Sequence, residues 1–261
     1  MRGRREIMNT GAHRCQLEIC VDSVESALAA DRGGADRIEL CGNLIIGGTT
    51  PDPALFRETR KVSAIPAHVM IRPRFGDFCY SESEFAVMCD DVRTFRELGA
   101  EGIVVGILRP DGTLDLERMR TIIKLAGDME VTLHRCFDLV RDPFEALEQA
   151  VELGVSIVLT SGQKNHAEDA LDLLAQLRQK AGNRILIQAG SGVNPGNIER
   201  IYKGTGIRAY HMSGKVRRES RMQYRKEGVS MGIPSVSEYA VFETDEDKVR
   251  QARNVLDQLN G

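Results

Sequence analysis

Arg32-Gly-Gly-Ala-Asp36, Glu97-Leu-Gly-Ala-Glu101 and Glu152-Leu-Gly-Val-Ser156 are variants of one phrase, and each runs straight into a short β-rich segment. Glycine takes the left-handed backbone that ends a helix at little cost, so each phrase reads as a helix stop followed by a strand. Working outward, β-rich runs recur at 16–21, 37–40, 67–71, 102–105, 131–134, 157–159, 184–189 and 208–212. Helix starts lie between them: Asp22-Ser23, Ser81-Glu-Ser-Glu84, and Asp142-Pro143 with proline at the first helical position. Eight strands alternating with helices predict the α/β class and a single (β/α)8 TIM-like barrel over residues 15–261, preceded by a basic tail at 1–14. The competing open doubly wound sheet would carry a G-x-G-x-x-G turn after its first strand. The turn here is Cys20-Val-Asp-Ser23.

The 261 residues are 42% apolar and 28% charged with a formal net charge of -3, which argues against a disordered or fibrous chain. The near balance of charge leaves no global basic field for nucleic acid or an anionic membrane. No run approaches the roughly 18 consecutive apolar residues of a membrane span. The tail Met1-Arg-Gly-Arg-Arg-Glu-Ile-Met8 lacks the apolar stretch of a secretory signal, and six cysteines without CxxC spacing read as reduced thiols. Both observations lead to the expectation of a cytoplasmic protein.

Side chains alternate across a strand, so each run divides into a helix-facing and a barrel-facing set. Leu17, Ile19 and Val21 oppose Glu18 and Cys20, Ile38 and Leu40 oppose Glu39 and Cys41, and Val69 and Ile71 oppose His68, Met70 and Arg72. Thr132 and His134, Gln188, and His211 share the barrel-facing parity in later strands. Glu18, Cys20, Glu39, Cys41, Arg72, His134, Gln188 and His211 are therefore expected to converge near the C-terminal strand ends, where barrel enzymes keep their sites. A buried network in which Arg72 pairs with Glu18 or Glu39 would satisfy the same residues without chemistry. A core needing only stability would place Val, Ile and Leu there, since an unpaired buried ion costs several kcal/mol.

Cys20 and Cys41 end adjacent strands in matching frames, Glu18-Ile-Cys20 and Glu39-Leu-Cys41, which predicts neighbouring thiols at the barrel mouth. Two thiolates suit Cu(I), although free cysteines also serve as small buried hydrophobes. Zn(II), which usually takes four ligands, would need His134 or His211 as well. Gly190-Ser-Gly192 and Ser213-Gly214 follow the last two strands and offer a phosphate cradle or ordinary turns, with Lys215, Arg217 and Arg218 close by. The basic stretch 215–226 reads as a solvated loop or a contact between copies. An enzyme acting on a small anionic or phosphorylated metabolite would use Glu39, His134, Asp138 and His211 as acid/base candidates and Arg72 as an anion clamp. No organic cofactor is expected.

The frames Glu18-Ile-Cys-Val-Asp-Ser23, Gly33-Gly-Ala-Asp-Arg-Ile-Glu-Leu-Cys41, Gly47-Gly-Thr-Thr-Pro51, Met70-Ile-Arg-Pro-Arg74, Gly76-Asp-Phe78, His134-Arg-Cys-Phe-Asp138, Leu159-Thr-Ser-Gly162 and Ser237-Glu-Tyr239 together resemble the CutC family of copper homeostasis proteins. The resemblance extends from about Cys15 to the C-terminus. It implies a cytoplasmic TIM-like barrel that forms homo-oligomers, dimers or tetramers, and handles copper. It also implies Cu(I) at the first two strand ends, positions that map onto Cys20 and Cys41. Cys136 stands where the family motif commonly has alanine, either as a third sulfur or as packing.

Overall fold

The computed structural model describes residues 14–233 and 236–260, so residues 1–13 of the expected basic tail at 1–14 lie outside the described residues. Eight parallel strands close into a barrel in sequence order: β1 (Gln16–Val21), β2 (Arg37–Leu40), β3 (Ala67–Met70), β4 (Gly102–Val105), β5 (Glu130–Leu133), β6 (Ile157–Thr160), β7 (Leu186–Ala189) and β8 (Ala209–Met212), with β1 pairing to both β2 and β8. Helices α1 (Val24–Arg32), α2 (Pro53–Val62), α3 (Glu82–Glu97), α4 (Leu116–Ala126), α5 (Pro143–Leu153), α6 (Leu171–Ala181) and α7 (Ile198–Thr205) join successive strands, and α8 (Glu246–Asn260) completes the ring.

The helix starts use the residues expected of them. The Ser23 side chain caps α1, Ser81 and Glu84 form a reciprocal capping box on α3, and Asp142 accepts two amides at the head of α5. The repeated phrase owes its period to one backbone requirement: its third residue, Gly34, Gly99 or Gly154, has φ of 89, 83 or 79°. Gly33 is needed for a different reason, because a Cβ there would sit 2.5 Å from Val249 of α8.

Strand parity decides the two layers. Leu17, Ile19, Val21, Ile38, Leu40, Val69, Ile71, Ile103, Val105, Val131 and Leu133 join the helices in one continuous core. The opposite parity fills the barrel, where Cys41, Met70 and Val104 make a small apolar cluster of their own. Bulky interior groups need room from a neighbour, and β4 supplies it: a Cβ on Gly102 would lie 2.5 Å from the His68 ring.

One element departs from the sequence reading. The basic stretch after β8 begins not as a loop but as β9 (Lys215–Glu219), paired antiparallel with β10 (Ala240–Thr244). Its cations are matched rather than free for an anion. Arg218 pairs with Glu243 and Asp245, Arg217 with Glu219, and Lys215 lies over the Phe242 ring. No described helix is long and apolar enough to cross a membrane.

Candidate metal centre at the barrel mouth

Register brings Cys20 of β1 level with Glu39 of β2, and Glu18 level with His211 of β8. Ligand atoms of Cys20, Glu39 and His211 all lie within 4.8 Å of one another, and all three residues are buried. His211 is held from behind: its Nδ1 lies 2.8 Å from Glu18 Oε1, while its Nε2 is 3.7 Å from Glu39 Oε2. Glu18 is itself fixed by Arg37 at 2.5 Å and by the Gln188 side-chain amide at 3.2 Å. A carboxylate holding one imidazole nitrogen and leaving the other directed at soft and oxygen donors is the usual support of a metal-ligating histidine.

Cys41 stands two residues beyond Glu39, so the two thiols are not level as the matching frames predict. The Cys41 Sγ lies 3.4 Å from Glu39 Oε2, which places this carboxyl group beside both cysteines. Parity puts both thiols in the barrel; the stagger between β1 and β2 decides that Cys20 meets a carboxylate first.

The electrostatics follow from burial and pairing. Burial pushes the Glu18 carboxyl up, but the charges of Arg37 and His211 overcome it and hold Glu18 far below the usual carboxylate range. Glu39 goes the other way, raised by burial and by the nearby charge of Glu18 despite His211. Burial, reinforced by Glu39, pushes the Cys41 thiol well up. For His211, burial opposes the charged ring, yet Cys20, Glu39 and Glu18 together raise its pKa well above the ordinary histidine value. Two carboxyl groups a short distance apart are thus driven in opposite directions.

Other expected site residues fall elsewhere. Arg72 pairs with neither Glu18 nor Glu39; that place is taken by Arg37, which shares the parity of Glu39 and is legible as barrel-facing on that ground. Arg72 instead donates to the carbonyls of Gly47, Gly48 and Gly76, joining two mouth loops. His134 lies across the mouth beside Arg72, and burial together with that charge lowers its pKa to about 3. His68, also barrel-facing by parity, is buried low in the barrel between Thr132 and Glu130.

Asp138 is held at the C-terminal end of β6. It accepts from the Thr160 and Ser161 hydroxyls and from the amides of Ser161 and Gln163, and pairs with Arg135. Cys136 is fully buried with its Sγ against Gly106 and beside the His134 ring, and it lies outside the group of ligand atoms formed by Cys20, Glu39 and His211. In the expected phosphate cradle, the Gly190 amide donates to Thr160, the Ser191 hydroxyl to Asn165 and the Lys215 amide to the Ser213 hydroxyl, while Gly214 is buried.

A cleft of about 290 Å³ leads to Cys20 between Leu44, Ile45 and the β9–β10 hairpin, with Asp22, Lys215 and Glu243 among its charged lining residues. The loop before Leu44 is shaped by Asn43, at φ 53°, and by the donation of the Leu44 amide to Asp22.

Comparison with known proteins agrees with this architecture. A family protein CutC from Chromobacterium violaceum is 46% identical over 241 residues, covering 92% of this chain and 98% of that protein. The human protein named copper homeostasis protein cutC homolog is 44% identical over 245 residues, covering 92% of this chain and 90% of its own. The crystal structure of CutC from Streptococcus agalactiae superposes with a TM-score of 0.73 at 30% identity, over 76% of this chain and 98% of that one. Thiamine phosphate pyrophosphorylase from Pyrococcus furiosus, at 17% identity and a TM-score of 0.56 over 95% of this chain and 98% of that one, shares the fold. The CutC family model matches residues 15–216, a span that contains all eight barrel strands and every residue of the Cys20, Glu39, Cys41 and His211 constellation, and this chain belongs to the CutC family.

Proposed function

We propose that this protein serves copper homeostasis by binding Cu(I) as cargo through Cys20 and Cys41, as a cytoplasmic buffer or carrier rather than a redox catalyst. The observation that carries the reading is the convergence of Cys20 and His211 on Glu39, with the Cys41 thiol on the same carboxyl group. Thiolates and imidazole are the donors Cu(I) prefers, and low coordination numbers suit it. On release of its proton, His211 Nε2 is a third donor within reach of Cys20, oriented by Glu18. Glu39 is a hard oxygen donor and a poor Cu(I) ligand. Its position beside Cys41 suits it to receive the proton that a thiol releases when it binds metal. Copper homeostasis in the names of curated relatives supports the choice of metal.

Competition with a Cu(I)-specific chelator on the purified protein tests the assignment. Cys20→Ser and Cys41→Ser are each expected to weaken Cu(I) binding, and the double variant to abolish it. A double variant that holds Cu(I) as well as wild type would show the site to be elsewhere. The same four donors, two thiols, an imidazole and a carboxyl group, have the composition of a zinc site. Zn(II) displacing Cu(I) at equal concentration would make zinc the cargo.

A further inference from the structure

On the β3–β5 side of the mouth, three buried hydrogen-bonding groups are left unpartnered. Arg72 Nε, the Tyr80 hydroxyl and His134 Nε2 have no hydrogen-bond partner among the described residues, and their residues are only 8, 6 and 3% exposed. His134 Nδ1 accepts the Cys136 amide, which leaves the ring proton on Nε2. Arg72 is a buried cation whose polar contacts are backbone carbonyls; no carboxylate pairs with it among the described residues. Phe78 ties the group together, its ring 5.0 Å from the Arg72 guanidinium and 4.7 Å from the His134 ring. Native proteins seldom leave buried donors unmatched, and a cluster of them at a barrel mouth is a feature to be explained by a ligand.

We propose that Arg72, Tyr80 and His134 form a binding site for a small organic carboxylate, on the β3–β5 side of the barrel mouth and separate from the thiols. Charge selects the class. Burial holds Tyr80 neutral and His134 neutral at ordinary pH, so the guanidinium supplies the single positive charge of the site. A monoanion balances that charge, whereas a phosphate dianion would keep an uncompensated charge out of water. A guanidinium with two neutral donors also matches the acceptor positions of one carboxylate. The half-buried Phe78 ring lies against the Arg72 guanidinium and the His134 ring. The Phe78 carbonyl accepts the Leu108 amide, which fixes the backbone at this point.

Thermal unfolding with acetate or glycolate, at ionic strength matched by chloride, tests the site. Wild type is expected to show a saturating rise in Tm, because a ligand that binds only the folded form stabilises it. Tyr80→Phe removes an unpartnered hydroxyl, so it is expected to fold at least as stably and to bind the carboxylate about tenfold more weakly. Arg72→Lys is expected to lose the effect. The Cys20→Ser, Cys41→Ser double variant is expected to retain it, which separates this site from the copper assignment. The proposal is overturned by the absence of a saturating shift with either carboxylate, by a Tyr80→Phe variant that binds like wild type, or by inorganic phosphate binding more tightly than both.

Discussion

His134 shows how a single side chain couples site and stability. Its folded-state pKa of about 3 lies below the ordinary 6.5, because burial and Arg72 both disfavour the imidazolium. A depressed histidine contributes stability above its unfolded pKa and loses it as pH falls from there toward the folded value. Between about pH 7 and about pH 5 the loss is expected to be about 2 kcal/mol. Denaturant unfolding at the two pH values checks it: His134→Gln should show a smaller drop than wild type by about that amount, and equal drops would count against the buried neutral ring. At this scale strand parity discloses Glu18, Cys20, Glu39, Cys41, Gln188 and His211 as interior without any knowledge of contacts. It equally marks Arg37 and His68, although neither stands at a strand's C-terminal end. Which carboxylate meets which cation depends on the stagger between strands, and alternation carries no record of stagger.

The strands and helices themselves are written locally, in caps, glycines and apolar alternation. Glycines that look alike in the sequence nevertheless meet different demands. Gly154 needs only its left-handed backbone, with nothing within 4 Å of the place a Cβ would take, so Gly154→Ala is expected to cost about 1 kcal/mol. A Cβ on Gly106 would overlap Cys136 Sγ and lie 2.8 Å from the His134 ring, so Gly106→Ala is expected to cost more, about 2 to 3 kcal/mol. Urea midpoints compare the two directly. Adding Cys136→Ala should restore part of the loss in the second variant and none in the first; a restoration in neither would mean the clash with sulfur is not the cause. The hairpin is the element that escapes local reading. Lys215–Glu219 lacks apolar alternation, and its partner strand lies about twenty residues on, so the pairing is a long-range fact.

At the level of the whole molecule, the β9–β10 hairpin stands where a barrel would otherwise pass straight into its last helix, and it walls the cleft above Cys20. The Phe242 ring lines that cleft, so Phe242→Ala is expected to raise the reaction rate of Cys20 with an aromatic disulfide several-fold, against little change for buried Cys41. Unchanged rates would mean that the hairpin does not control access. The sequence by itself determined the barrel, its strand order, and the division of each strand into a polar interior and an apolar exterior, because caps, left-handed glycines and period-two alternation are properties of neighbouring residues. Only the tertiary structure decided that Arg37 rather than Arg72 neutralises Glu18, that Cys20 meets Glu39 and His211 while Cys41 sits a step above, and that Asp138 is tied to Thr160 and Ser161 and Cys136 packs against Gly106. Those outcomes depend on inter-strand stagger and on the direction of loops after each strand, which bring together residues up to 193 positions apart in the chain.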